Sequence, residues 1–525
     1  MCGIFAIINN NHHYIASSEI VKTSFEKGVN RGPEFSTLIQ YDDTFFDNIN
    51  HILGFHRLAI NGLDDISNQP IEIDDCVLIC NGEIYNYKQL YSYMNDVTPK
   101  THSDCEVIIH LYKKYGIEQT LTMLDGVYAF ILITKDTVYA ARDPFGVRPL
   151  YYFKNACTFF FASELKCLSN IADEHDACVS HFEPGCYMDT KNGILKKYHI
   201  PSFVLNETLS EKEVCETIFQ KLYDAVYKRC VTTERPVACL LSGGLDSSII
   251  ASLVSKTVPY QLETYSIGLE GSEDLRCASI VATHIGSKHT EILVTEADML
   301  NAIDEVIYAI ESYDVTTIRA SLGNYLLGKY IKQHSEAKVI FNGDGSDEIC
   351  GGYLYMKACP DDIEFDKETR RLLKEIHRYD VLRSDKCISS HGLEPRTPFL
   401  DRGFVNYYLS IPIELRRRPE LIEKYLLRKA IDLQDIRYLP DEVLWRRKEA
   451  FSDGVSDQGR SLYKIIQEHV PNPKNLPLAE AEKEYYKTTF IKFFGNEHNI
   501  LDHYWMPKYI ESNDPSARTL SIYNK

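Results

Sequence analysis

Positive charge is scarce in this chain. Lys and Arg number 57 against 75 Asp and Glu across 525 residues, a net charge of −18. Nucleic-acid binders carry a basic footprint, so this balance argues against one. It also means that an anionic substrate must be held by local arginine, lysine, metal or backbone N–H groups. No stretch is apolar for long enough to span a bilayer, and no signal peptide precedes the first strand-like segment. The 15 cysteines are odd in number and contain no Cys-x-x-Cys pair. Free thiols in a reducing compartment fit this better than a disulfide framework. Internal repeats and low-complexity segments are also missing. The expectation is a cytoplasmic protein with no nucleic-acid or membrane partner; the composition leaves a homodimer open.

The remainder is ordinary globular material, 44% hydrophobic and 25% charged, with length for two to four domains. Up to about residue 190 the chain reads as β-rich. "CGIFAII", "CVLICNGEIYN", "VYAFILIT", "TVYAARD", "LYYF" and "TFFFASE" are short apolar or aromatic runs broken by Asp, Asn, Gly and Pro. "DCEVIIHLYKKY" has helical spacing. A turn-rich, then polar segment follows, and the domain boundary falls inside it, giving domains 1–205 and 206–525. Beyond it strands alternate with helices: "EVCETIFQKLYDAVYKRC" (helix), "PVACLL" (strand), "LDSSIIASLVSK" (helix), "LETYSIGL" (strand), "LRCASIVATHIG" (helix), "HTEILV" (strand), "ADMLNAIDEVIYAIE" (helix), "AKVIFNG" (strand). That alternation predicts a parallel sheet covered on both faces. From about residue 355 the chain is mostly helical and charged.

Two short strings carry chemistry. The first is "MCGIFAI" at residues 1–7. Removal of Met1 leaves Cys2 with a thiol and a free α-amine on one residue, a nucleophile beside its own base. The bland alternative is a small buried residue at the head of a strand. The second is "LLSGGLDSS", Leu240 to Ser248, which follows a strand and opens a helix. Two glycines let the backbone approach an anion, and the helix N-terminus offers N–H donors. Ser242, Ser247 and Ser248 add hydroxyls. No Gly-Lys-Ser/Thr follows, so this is not a Walker A loop. Asp246 would repel a phosphate unless a cation sat between them, which implies Mg²⁺.

"SGGLDS" resembles the pyrophosphate loop of ATP pyrophosphatases. With "MCGIFAI" it resembles the glutamine-dependent asparagine synthetase family, nearly end to end. The other carriers are "NRGPE" (30–34), "FHRLAI" (55–60), "CNGEIYN" (80–86), "HSDCE" (102–106), "ARDPFGVRPLYY" (141–152), "FASELKCL" (161–168), "SYDVTTIRAS" (312–321), "NGDGSDEICGGYLY" (342–355), "EPRTPFLD" (394–401), "WRRKEAFSDGV" (445–455) and "DPSAR" (514–518). The resemblance implies an α+β first domain, a four-layer αββα sandwich of the N-terminal-nucleophile type. An α/β domain with a parallel sheet and a helical C-terminal part follows.

The resemblance also implies roles. Cys2 would attack the glutamine side-chain amide, with Asn81 and Gly82 as the oxyanion hole. Arg57 would meet the α-carboxylate of L-glutamine, and Asp104 with Glu83 its α-amine. Arg31 would be structural or orienting. In the second half ATP and L-aspartate would give β-aspartyl-AMP, which ammonia then converts to asparagine. Leu241, Ser242, Gly243, Gly244, Asp246, Ser247, Ile267, Asn342, Gly343, Ser346 and Lys448 would bind ATP or pyrophosphate. Asp246 and Asp347 would hold Mg²⁺. Thr316, Thr317 and Arg319 would bind aspartate, Arg396 would orient the region, and Asp344 and Lys448 would be catalytic.

Two departures stand out. The family's His-Arg-Gly-Pro-Asp is here Asn30-Arg31-Gly32-Pro33-Glu34. Its Ser-Gly-Glu-Gly-Ser-Asp-Glu has become Asn342-Gly343-Asp344-Gly345-Ser346-Asp347-Glu348, which shortens one carboxylate by a methylene. The alternatives are a β-lactam-synthetase-like amide former, which lacks the nucleophilic cysteine, and a catalytically impaired regulatory relative. Intact Cys2, Asn81 and Arg57 argue against the first.

Overall fold

The computed structural model describes residues 2–10, 14–41, 50–201, 209–448, 460–495 and 500–520. Its first half holds two six-stranded antiparallel sheets. One runs, in spatial order, Ser180–His181, Tyr151–Asn155, Thr158–Ala162, Gly3–Ile8, His51–Arg57, Phe35–Tyr41. The other runs Ile194–Lys197, Cys186–Asp189, Val138–Arg142, Gly126–Ile133, Cys76–Ile84, Ile71–Ile73. The strand Gly3–Ile8 is apolar throughout because both its faces are covered. Ile4, Ala6 and Ile8 meet Val77, Ile79, Ala129 and Ile131 of the second sheet. Phe5 and Ile7 point the other way, toward Val21 and Phe25 of the helix Glu19–Glu26. The helix Val107–Met123 covers the far face of the second sheet, broken at Gly116, whose φ is 76°. The order is helix, sheet, sheet, helix: the expected four-layer sandwich.

The second half is built on a five-stranded parallel sheet in the order Lys288–Leu293, Glu263–Gly268, Val237–Leu240, Val339–Phe341, Glu394–Arg396. The chain starts at Val237–Leu240, adds two strands on one side, then crosses to the other. Strand order therefore reverses between Val237–Leu240 and Val339–Phe341, and such a reversal opens a crevice at the carboxyl ends of the strands. "LSGGLD" leaves one of these ends and "NGDGS" the other. Glu394–Arg396 lies in the stretch expected to be helical. Pro395 is tolerated there because the strand is at the sheet edge. The single helix expected over 297–311 is two, Glu296–Asn301 and Ile303–Ile310.

The halves share a core. The cluster that holds Phe5, Ile52 and Phe160 also holds Ile303, Val306, Ile310, Ile318, Leu322 and Phe490. Helices of the second half thus roof the outer face of the first sheet. The expected boundary between 205 and 206 lies outside the described residues. Among those described, no helix is long and apolar enough to cross a membrane. None of the 15 cysteines, all of them described, is in a disulfide.

Candidate active sites

The first site forms where the strand Gly3–Ile8 begins. Cys2 is buried, and its N–H donates to Asn81 Oδ1 at 3.1 Å. Burial pushes its thiol pKa up. Asn81, Gly82 and Glu83 follow one another on the strand Cys76–Ile84, and all three are buried. A Cβ on Gly82 would lie 2.6 Å from the Val127 carbonyl oxygen, so glycine is required for the neighbouring strand to close on it. Arg57 ends the strand His51–Arg57. Its Nη1 donates to Asp64 O at 2.8 Å and Asn68 Oδ1 at 2.7 Å, and its Nη2 to Gly62 O. These acceptors are uncharged, and among the described residues Arg57 has no carboxylate partner.

The acids of this site are also short of partners. Glu83 accepts from Asn61 Nδ2 at 2.6 Å and lies 3.5 Å from Arg396. Asp104 accepts from the Ile84 N–H at 2.6 Å. Burial raises the Asp104 carboxyl from 3.8 to about 6. Burial, and then the neighbouring Asp104, push Glu83 well above the usual range. A buried acid pair of this kind favours a cationic visitor.

The second site is a cavity of about 250 Å³ at the strand-order reversal. Leu241 and Ile267 line it, as do Ser242, Gly244, Ser247, Asn342 and Gly343. The first loop is pre-wound: Ser242 Oγ and Ser247 Oγ are 2.9 Å apart, and the Gly244 N–H donates to Ser242 Oγ at 3.4 Å. Gly243 has φ 75°, and a Cβ there would lie 2.6 Å from Ala278 N. A Cβ on Gly343 would lie 2.7 Å from Ser247 N, so the two loops touch only because it is glycine. Asn342 Nδ2 donates to Ser384 Oγ at 2.6 Å. Thr316 lines the cavity, with its hydroxyl buried and unpartnered.

The carboxylates here are neutralised. Asp246 accepts from Ser346 Oγ at 2.8 Å and from Lys424 Nζ at 2.6 Å. The same ammonium lies 2.5 Å from Asp347 Oδ1, and Lys448 Nζ donates to Asp347 Oδ2. Burial opposes ionisation of Asp347, yet the two lysines hold its carboxyl well below the usual range. Asp344 accepts from Arg383 Nη2 at 2.8 Å through one oxygen; the other is buried without a partner.

Residues 1–197 match the Glutamine amidotransferase domain family, and residues 217–362 and 357–508 match the Asparagine synthase family. Asparagine synthetase [glutamine-hydrolyzing] from Homo sapiens is 39% identical over 576 aligned residues, covering 100% of this chain and 99% of the human protein. The Gallus gallus protein of the same name is 39% identical over 574, with the same coverage. The chain belongs to the asparagine synthase family.

Against what its motifs imply, several residues behave differently. Arg319 is expected to bind aspartate through its bidentate guanidinium. Its Nε donates to Glu482 Oε1 and its Nη1 to Asp514 Oδ1, both at 2.8 Å; Nη2 serves Glu482 and Asp514 together. The fork is filled, and it ties the "DPSAR" segment to the cavity wall, where Ser516 and Ala517 line the cavity. Thr317 is taken up by the cap of its own helix, its N–H and hydroxyl both donating to the N-cap Asp314 at 2.8 Å. Arg396 sends its side chain away from the nucleotide cavity, toward Glu394 at 2.8 Å and Glu83 at 3.5 Å. Only its carbonyl serves the nucleotide loop, accepting from the Asn342 N–H at 3.1 Å. Glu34, the departure in "NRGPE", accepts from Ala59 N and Arg235 Nη2.

Sequence reasoning did not find Lys424 or Arg383. Lys424 sits in "EKYLLRK" in a left-handed conformation, φ 57°, with no local signal of its role. It is found only when Asp246 and Asp347, 101 residues apart, are seen to converge. The stretch 449–455 of the "WRRKEAFSDGV" motif lies outside the described residues.

Proposed function

We propose that this chain makes L-asparagine from L-aspartate, using ATP and the ammonia released from L-glutamine, with AMP, pyrophosphate and glutamate as the other products. In the first site Cys2, after removal of Met1 (itself outside the described residues), attacks the amide carbon of glutamine. Its buried thiol needs a base. The α-amine, with an ordinary pKa of about 8, takes the thiol proton and passes it to the departing ammonia. Asn81 Nδ2 and the Gly82 N–H bear on the oxyanion. Arg57 holds the α-carboxylate, and Glu83 with Asp104 the α-ammonium.

In the second site ATP lies along the two glycine loops, with adenine between Leu241 and Ile267. Ser242, Gly243, Gly244, Ser247, Asn342, Gly343 and Lys448 hold its phosphates. Aspartate lies toward Thr316, with Arg319 holding the wall behind it. Its β-carboxylate attacks the α-phosphorus, pyrophosphate leaves, and ammonia then displaces AMP from β-aspartyl-AMP. The free oxygen of Asp344 faces this reaction space. Mg²⁺ fits Asp246 and Asp347, whose oxygens already converge on one cation, the Lys424 ammonium. Among the described residues no set of three or more His, Cys, Asp or Glu could hold a metal. The remaining ligands would be phosphate and water, the usual habit of this ion. When bound, it would neutralise phosphate charge. The absence of disulfides suits the cytoplasm.

The observation that carries this reading is a buried cysteine whose N–H meets Asn81, and a paired-loop phosphate site in the same polypeptide, joined by a shared core. Product analysis with aspartate, ATP, Mg²⁺ and glutamine tests it. Asparagine, AMP, pyrophosphate and glutamate in equal amounts are expected. Glutamate without asparagine would reduce the chain to a glutaminase.

A further inference from the structure

The helix Asp380–Ser389 runs between the two sites, and nothing in the sequence motifs singles it out. Residues 381–389 are buried. Toward the nucleotide cavity, Arg383 Nη2 donates to Asp344 Oδ1 at 2.8 Å and Ser384 Oγ accepts from Asn342 Nδ2 at 2.6 Å. Both partners belong to the loop after the strand Val339–Phe341. Toward the other domain, Asp385 Oδ2 and, one turn later, Ser389 Oγ accept from Arg31 Nη1 at 2.8 and 2.9 Å. Arg31 Nε then donates to the carbonyl of Cys2 at 2.9 Å. Glu164 accepts from the same guanidinium at 2.7 Å.

A planar guanidinium fixed at Nε by one partner and at Nη1 by three others has a single orientation. It therefore fixes the peptide unit that carries the nucleophile. Adhesion alone does not call for this arrangement, since a buried ion pair is commonly no better than a packed apolar contact. One rigid helix holds the nucleotide loop by two side chains and the nucleophile's arginine by two others.

Building on the assignment of Cys2 as the glutaminase nucleophile, we propose that the helix Asp380–Ser389 positions Cys2 through Asp385 and Arg31, and so couples glutamine hydrolysis to occupancy of the nucleotide cavity. Asp385 is a positioning residue contributed by the other domain. Ligands that order the 342–347 loop hold the helix still, and with it Arg31. By reciprocity, glutamine tightens the binding of those ligands by the same factor.

The test uses the full chain. Glutamate release is measured with and without saturating aspartate and a non-hydrolysable ATP analogue, alongside ammonia-dependent asparagine formation. In the wild type the ligands raise kcat/KM for glutamine by about fivefold or more, the low end of ordinary coupling. Asp385→Asn keeps the volume and one acceptor oxygen. Its basal glutaminase kcat falls about tenfold or more, the scale of a small misplacement of a reacting group. The ligand response disappears, while ammonia-dependent synthesis stays within about twofold. Ser384→Ala removes one of the two links on the other side, leaving basal glutaminase unchanged and reducing the response by half or more while Arg383 still holds Asp344. If Asp385→Asn does not fold, Ser389→Ala takes its place, with the same losses at smaller amplitude. A ligand response of full wild-type size in Ser384→Ala and in the folded Arg31-side variant overturns the proposal. So does equal loss of both activities in a folded Asp385→Asn protein, or a wild-type glutaminase indifferent to the ligands. A wild type that releases glutamate but never forms asparagine defeats the functional reading instead, and the helix is then judged on the glutaminase arm.

Discussion

The two pockets treat buried carboxylates in opposite ways. Beside Cys2, Glu83 and Asp104 lie close together with little cationic help, and burial lifts both above their ordinary range. In the nucleotide cavity Asp246 and Asp347 share one lysine, and a second lysine completes the neutralisation of Asp347. The acids of the first pocket are short of counter-charge and suit a ligand that brings an ammonium, while Arg57 donates only to uncharged acceptors. The second already has its counter-charge, held on lysine side chains. In the proposed reaction these ammonium groups would turn toward phosphate oxygens once a metal took up the carboxylates. One enzyme thus prepares for a zwitterion by withholding a cation, and for a polyanion by storing two.

The sharpest way to separate the pockets is to remove the nucleophile. Cys2→Ala abolishes glutamine-dependent glutamate release, a loss of about 10⁴-fold or more on the scale of deleted nucleophiles. Ammonia-dependent asparagine synthesis continues, because the hydrogen-bond partners of Cys2 among the described residues, Asn81, Leu58 and Arg31, do not line the cavity. The mass of the mature protein provides an independent check. Retained Met1 would block the α-amine and sink the assigned base.

Asp246→Asn strikes the other pocket. Lys424 then faces a single carboxylate, Asp347, and the cation site loses half its charge. Synthesis from either nitrogen source falls about 100-fold, the equivalent of one or two charge-assisted hydrogen bonds. Glutamate release without ATP remains. Unchanged pyrophosphate release would show that Asp246 is a partner for Lys424 and nothing more.

What the sequence shows of this comparison depends on distance along the chain. Cys2, Asn81 to Glu83 and the SGGLDS loop are local patterns: a doubly covered strand, a glycine forced by a neighbouring strand, a strand–loop–helix turn. Each can be read from about ten residues. Arg319 could not be read in this way, since its two carboxylates lie 163 and 195 positions away. Nor could Arg396, whose side chain bonds Glu394 and the Arg229 carbonyl in its own half and reaches Glu83 of the other half at 3.5 Å. Lys424 was hidden for the same reason. Ion pairs between distant elements follow no periodicity, so the motifs name the residues present while the contacts decide which are free.

Asp104 sharpens the comparison through pH. Its carboxyl stands at about 6 in the folded protein against an ordinary 3.8, with burial as the main cause. The folded state then binds a proton more tightly than the unfolded one between these values. Stability of the ligand-free protein is therefore highest at low pH from this group, and is lost as pH rises through about 6. Glutamine binding runs the other way, because an ammonium needs the ionised form. Lowering pH from about 7.5 to about 5.5 should raise the glutamine KM without raising the ATP KM. Asp104→Asn keeps an acceptor for the Ile84 N–H. It should raise the glutamine KM about tenfold, while the ligand-free protein becomes more stable at neutral pH by up to about 3 kcal/mol. A variant that binds glutamine normally would remove Asp104 from the pocket's charge balance.

The smallest effect is expected at Asp344, where the chain departs from its family's Glu. The loop around it is wedged. A Cβ on Gly343 would strike Asp246 and Ser247, and Gly345, with φ 93°, lies against Leu400. The backbone has little room to shift, so Asp344→Glu carries its carboxylate about 1.5 Å further into the cavity, one C–C bond. The group that must yield is Arg383, on a flexible stem, and it has a second partner in Asp380 at 3.0 Å. The arginine can turn to Asp380 while the longer acid takes the space. Synthesis should therefore stay within about threefold of the wild type, less than the loss of one ordinary hydrogen bond. Glutamate release should not change. Pyrophosphate and glutamate measured separately decide it. A loss of tenfold or more, about 1.4 kcal/mol in the barrier, would show that the Arg383–Asp344 spacing is tuned to the shorter acid. The nucleotide pocket's stored charge would then be set by distance as well as by count.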